Sequence, residues 1–297
     1  MRLAALAALL LASGEACAQP APATAAGAHA ASLDGTELIC PPLANDTPEM
    51  IRMRENALRP DPNFKMDLPP GGFQGEAFKK FMAALAERQS KDWPYLCRYR
   101  AANAELLAGG SRPDMILMGD SITENWVSAH PDFFAHGFVG RGISGQSSPQ
   151  MLARFYADVV ALHPRFVHIM AGTNDIGGAT GPSLEQDYIN NINAMIDIAQ
   201  ANGITVILAA IPPITKILPR PDFDPRPNVR RINADLKSIA ERRNLVFVDY
   251  FRPLADASGA FDHRYANEGV HPNRDGYSIM EPLLLKAYET AGGKIRR

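Results

Sequence analysis

Beyond Arg112 the chain alternates short apolar runs with stretches of helical length, and few folds accept that rhythm. The apolar runs fall at 115–118, 137–141, 166–170, 204–211 and 245–249. Helical stretches cover 148–162, 183–201, 228–243 and 274–290. Four of the five runs are continuous and rich in Val, Ile, Phe or Met, with no polar face. A strand without a polar face is buried on both sides, as in a parallel sheet. Parallel strands need long crossovers, and the intervening helices supply them. The expected architecture is therefore α/β: a three-layer α/β/α sandwich around about five parallel strands, spanning 112–297.

In an open sheet of this kind, chemistry sits in the loops beyond the strand carboxyl ends. After the first run comes Gly119-Asp120-Ser121-Ile122, and after the second Gly142-Ile143-Ser144-Gly145. The third is followed by Gly172-Thr173-Asn174-Asp175. Between the fifth and the last helix lies Glu268-Gly269-Val270-His271-Pro272. A serine at a strand exit reads either as an exposed nucleophile or as a cap in a tight strand-to-helix turn. The other loops weigh on that choice. An imidazole titrates near neutrality and suits a general base for a hydroxyl. Glycine N–H groups approach an oxyanion closely, and an Asn amide adds a donor. A carboxylate three residues before the histidine is placed to hold its tautomer. Together these are the parts for acyl transfer through a serine.

The four blocks, in this order and each at a strand exit, resemble the SGNH (GDSL-type) hydrolase superfamily over roughly residues 112–290. The resemblance implies a flavodoxin-like sheet. It implies Ser121 as nucleophile with its own N–H in the oxyanion hole, Gly145 N–H and the Asn174 side chain as further oxyanion donors, and His271 as base. The superfamily usually has Asp three residues before the histidine, where this chain has Glu268. Three readings of the acid stay open: Glu268 itself, a backbone carbonyl, or another carboxylate such as Asp262 or Asp275. The chain is most similar to a secreted branch resembling platelet-activating-factor acetylhydrolase-like proteins and carbohydrate O-acetyl esterases. The expected activity is hydrolysis of short-chain acyl esters, acetyl first, on a small molecule or glycan, with no cofactor or metal. Two alternatives remain: a thioesterase or lysophospholipase, and a non-catalytic glycan-binding protein on a hydrolase scaffold.

Other candidates read as structural. His130, His136, His163, His168 and His263 form no helical pair at metal-ligand spacing. Asp120 and Asp175 read as turn or network carboxylates, and Arg141 as either a pocket or a surface residue. The Pro-rich loop 212–227, with Arg220 and Phe223, is long for its place and reads as a substrate wall or a rigid excursion.

The amino-terminal part has a different character. Arg2 opens it, Leu3 to Ala12 is apolar, and Ala16-Cys17-Ala18 supplies small residues, so 1–18 reads as a secretory signal peptide cleaved after Ala18. A lipoprotein acylated at Cys17 is disfavoured by Glu15. Residues 19–75 read as a linker and an irregular, proline-rich extension. A helical lead-in over 76–111 carries one helix over 76–89 and a second between Pro94 and Ala108. No later segment reaches the roughly 18 apolar residues a membrane span needs, so an exported protein, periplasmic or extracellular, is expected. Cys40 and Cys97 then remain, either as a disulfide closing about 57 residues or as two buried thiols. A net charge of −2 and the lack of basic runs argue against nucleic acid as a partner. Oligomeric state is not legible.

Overall fold

The structure, a computed structural model, describes residues 30–31, 37–38, 40, 48–65, 71–72, 75–110, 112–217, 220 and 222–295. The leader expected at 1–18 lies outside them, as does most of the expected linker. Two short strands, β1 (Ala30–Ala31) and β2 (Glu37–Leu38), pair antiparallel. Helices α1 (Pro48–Leu58), α2 (Glu76–Lys91) and α3 (Arg100–Ala108) follow.

Two local expectations are corrected here. The stretch predicted as irregular contains α1, because its prolines flank the helix instead of interrupting it. Pro48 occupies the first helical position, where a missing N–H costs nothing, and neither Gly nor Pro follows within α1. The helix predicted after Pro94 starts only at Arg100. The Asp92 carboxylate accepts from the N–H groups of Leu96 and Cys97, both at 2.9 Å, and these bonds hold 92–97 in turns. Cys97 is joined to Cys40 in a disulfide with Cα atoms 5.6 Å apart.

The sandwich itself begins at β3 (Met115–Gly119), followed by α4 (Ser121–Ala129) and α5 (Pro131–Phe134). Then come β4 (Phe138–Gly142), α6 (Ser148–Asp158), β5 (Phe166–Met170), α7 (Thr173–Gly177) and α8 (Glu185–Ala201). The chain continues with β6 (Thr205–Ala209), α9 (Arg226–Arg242), β7 (Val246–Val248), α10 (Phe251–Leu254) and α11 (Arg274–Thr290). The five strands pair in parallel in the order β4-β3-β5-β6-β7. The sheet turns back on itself between β3 and β5, the switch point at which doubly wound sheets open a crevice.

Burial explains the continuous apolar runs. Along the strands, successive residues serve opposite layers. Ile116, Met118, Val167, Ile169, Val206 and Leu208 face α6, α8 and α9 through residues such as Phe155, Ile196 and Leu236. Met115, Leu117, Phe166, Met170, Ile207 and Ala209 face α4 and α11 through Trp126, Tyr277 and Leu284, with Leu58 of α1 added at that side. The fold is the expected α/β/α sandwich. Among the described residues no helix is long and apolar enough to cross a membrane.

Candidate active site

Ser121 begins α4 directly beyond β3. Its predecessor Asp120 caps the helix by accepting from Ile122 N at 2.9 Å, which spares the hydroxyl of Ser121 from capping. That hydroxyl has another partner: Ser121 Oγ lies 2.8 Å from Nε2 of His271. The strand exit therefore holds the serine in hydrogen-bond reach of a base, the first geometric requirement for activating a hydroxyl.

His271 comes from 150 residues further along the chain. It sits two residues before Asn273, whose side chain caps α11 by accepting from Gly276 N at 3.0 Å. Tyr277 of α11 donates its hydroxyl to Ile122 O at 2.7 Å, so the helix after the histidine is tied to the helix that carries the serine. The other ring nitrogen, Nδ1, is hydrogen-bonded to Oε1 of Glu268, and the same oxygen accepts from His271 N at 2.8 Å. Of the three readings of the acid, Glu268 is the carboxylate that touches the imidazole. Asp262 is engaged by Arg264 at 2.7 Å instead. One methylene beyond Asp is absorbed because Glu268 folds back onto its own loop.

Electrostatics follow from this line of contacts. Burial alone would lower His271, but the charge and hydrogen bond of Glu268, helped by Asp120, outweigh it and hold the imidazole above its ordinary 6.5. Burial would likewise raise Glu268, and the His271 charge and hydrogen bonds reverse the sign and leave it below 4.5. Asp120 behaves differently: burial dominates and pushes it to about 6, against the pull of Ile122 N–H and His271.

The second and third loops close on the serine turn. At Gly142, the end of β4, an added Cβ would lie 2.2 Å from Glu124 N and 2.6 Å from Asp120 O. Only a glycine lets the β4 exit approach the first turn of α4 so closely. Ile143 N donates to Gly119 O at 3.2 Å, continuing the contact. Gly145 then turns with φ of +80°, in the left-handed region. Asn174, in α7, donates through Nδ2 to Gln146 O at 2.9 Å and reaches Asp120 Oδ2 at 3.5 Å. It thus bridges the Gly145 loop and the serine turn. Asp175 accepts from Ser148 N at 3.1 Å and from its hydroxyl at 2.6 Å, a network role that fixes the start of α6.

Some contributors had no legible signal. Glu124, three residues after Ser121, is buried; its carboxylate accepts from Ser144 N at 2.8 Å, from the Ser144 hydroxyl, and from Arg98 Nη2 at 3.0 Å. An acid in the first turn of a helix reads from sequence as a solvated partner of the helix dipole. Arg141 is not a surface residue. It is buried, donating from Nε to Asn103 Oδ1 at 2.9 Å with its guanidinium 4.7 Å from the Tyr99 ring centre. His168 is a core histidine on β5, its Nε2 3.1 Å from Tyr250 Oη. In the loop after β6, Arg220 lies over the Phe223 ring at 4.1 Å, and Thr215 N donates to Gly269 O at 2.8 Å, bracing the histidine loop.

A parallel α/β/α sheet with serine, histidine and carboxylate in one hydrogen-bonded line at its carboxyl edge defines the class: an ester hydrolase. The chain belongs to the GDSL-like lipase/acylhydrolase family, which its residues 117–279 match. It is similar to a GDSL-like lipase from Bacteroides thetaiotaomicron, 38% identical with a TM-score of 0.64 over 67% of this chain and 100% of that one. A Bacteroides fragilis protein provisionally classed as an acylhydrolase is 41% identical, with a TM-score of 0.64 over 68% of this chain and 99% of that one. Among curated relatives, an acetylxylan esterase from Geobacillus stearothermophilus is 27% identical over 163 residues, 50% of this chain and 70% of the relative.

Proposed function

We propose that the protein is an exported serine esterase that removes short acyl groups, acetyl first, from a carbohydrate or small alcohol through an acyl-enzyme on Ser121. The observation that carries this reading is the line Ser121 Oγ–His271 Nε2 at 2.8 Å with Glu268 on the far nitrogen. In the first half-reaction His271 takes the hydroxyl proton as Oγ attacks the ester carbonyl carbon. The tetrahedral oxyanion falls to the N–H groups of Ser121 and Gly145 and to the Asn174 amide. The imidazolium returns its proton to the departing alkoxide, leaving an acyl-serine and a free alcohol. Water, deprotonated by the same imidazole, attacks the acyl carbon in the second half; the proton goes back to Ser121 and a carboxylic acid leaves. Glu268 holds the tautomer with Nδ1–H and balances the imidazolium charge.

The choice of acyl group and leaving group rests on the acetylxylan esterase relative. Export rests on the leader-like residues 1–18 and on the Cys40–Cys97 pair, since disulfides persist in oxidising compartments. An acyl-chain-length series with chromogenic esters, run beside acetylated xylo-oligosaccharide, tests the substrate. Activity greatest at two carbons together with acetate release from the oligosaccharide is expected. A maximum at long chains would move the protein to lipid esters or thioesters.

A further inference from the structure

The loop that carries Gly145 is closed within itself by one backbone bond, Gln146 N donating to Ile143 O at 3.2 Å, around the Gly145 turn with its φ of +80°. What else it bonds to therefore matters. Its residue before Gly145, Ser144, gives both its N–H (2.8 Å) and its hydroxyl to one oxygen of Glu124. The other carboxylate oxygen takes Arg98 Nη2 at 3.0 Å, and the two charged side chains keep only 12% and 7% of their surface exposed. Glu124 is itself in the first turn of the serine helix, its N–H donating to Asp120 O at 2.9 Å. One buried carboxylate thus spans the nucleophile turn and the residue whose carbonyl carbon bears the Gly145 N–H.

Arg98 comes from outside the family-matched residues. It follows Cys97, and the segment around it touches the same loop twice more. Tyr99 donates its hydroxyl to Gly142 O, and Gln146 Nε2 donates to Pro94 O at 3.0 Å. A buried carboxylate is stable only when its acceptors are filled and its charge is paired. Here donors from two separate segments fill them, and the ion pair makes the geometry hard to relax. Oxyanion donors act by being oriented before the charge develops, so a fixed Ser144–Gly145 peptide has catalytic value beyond stability.

We propose that Glu124 is a positioning residue for acyl transfer, holding the Ser144–Gly145 peptide in the orientation an oxyanion needs, with Arg98 as the cation that keeps it there. This rests on the reading of Ser121 as nucleophile and Gly145 as oxyanion donor. Glu124→Gln keeps the shape but turns an amide donor toward either Ser144 or Arg98. It should lower kcat about 10- to 100-fold, below the loss from deleting an oxyanion donor outright, with KM within about threefold. Arg98→Met should lower kcat in the same way and Arg98→Lys should recover part of it. Ser144→Ala, which removes only the hydroxyl bond, should cost kcat severalfold alone and nothing further in the Glu124→Gln background, because both act through one contact.

Thermal unfolding of each variant accompanies the kinetics. If Glu124→Gln does not fold, Ser144→Ala decides, and kcat unchanged in it overturns the proposal. A folded Glu124→Gln protein with kcat within twofold of wild type, or one losing only KM, overturns it as well. Ser121→Ala run in parallel separates the two levels. An inactive Ser121→Ala beside a fully active Glu124→Gln sinks the positioning role alone, whereas an active Ser121→Ala sinks the mechanism beneath it.

Discussion

Glu268 stands where the superfamily pattern has Asp, and its contact with His271 sets two residue-scale expectations. Replacing it with Gln leaves the side chain's length but removes the charge behind the imidazole. Loss of the acid costs serine proteases about 10⁴-fold; Glu268→Gln should lose at least about tenfold in kcat, and a smaller loss would remove Glu268 from the triad. The pH profile has a definite sign. The reaction needs neutral imidazole, and Glu268 with Asp120 holds His271 above 6.5, so the acid limb of kcat/KM lies above that value. In Glu268→Gln burial regains the upper hand on His271, and the limb should move to lower pH while the plateau drops. A limb that stays in place would show that Glu268 does not tune the base. Ser121, Gly145, Asn174 and His271 could be singled out because apolar runs fix the strand exits, and only the five loops beyond them had to be read. Glu124 was not legible. Its partners Arg98 and Ser144 are 26 and 20 residues away, and no local pattern marks that closure.

At the scale of elements, the approach of β4 to α4 is the contact on which the site's geometry depends. Gly142→Ala places a methyl 2.2 Å from Glu124 N and 2.6 Å from Asp120 O, both backbone atoms that cannot swing aside. The expected cost is about 1–3 kcal/mol of stability, as for overpacking, accompanied by a fall in kcat. Gly145→Ala meets open space, and its cost is the +80° turn, about 1–2 kcal/mol of strain. Chemical denaturation of both variants checks this, and a Gly142→Ala protein as stable as wild type would contradict the close approach. The elements themselves were largely readable. Runs of Val, Ile, Phe and Met located the strands to within a few residues, since burial on both faces leaves a strong pattern. The misses came from local side-chain chemistry. Asp92 delays the helix after Pro94 by capturing two N–H groups, and α1 was hidden by the prolines around it.

For the molecule as a whole, a buried histidine makes stability depend on pH. His168 is fully buried on β5, and burial depresses it to about 3. Between about 3 and 6.5 the unfolded chain binds a proton at this residue and the folded chain does not. This contribution is therefore constant above 6.5 and destabilises progressively as pH falls through the window. The midpoint of thermal unfolding should drop less steeply between pH 6.5 and 4 in His168→Leu than in wild type, and parallel slopes would contradict the burial argument. The Cys40–Cys97 bridge closes a separation of 57 residues, and loop-closure entropy alone assigns it on the order of 4 kcal/mol. The proposed function stands or falls with Ser121 as nucleophile, served by a base brought to it from 150 residues further along the chain. It is tested most directly by short aryl ester hydrolysis in wild type and Ser121→Ala, with peptide mapping after treatment with a serine-directed phosphonate. Activity in wild type with the label on Ser121 is expected, and a loss of at least about 10³-fold in the variant. Equal activity in the two proteins, or a label on another residue, would contradict Ser121 as nucleophile.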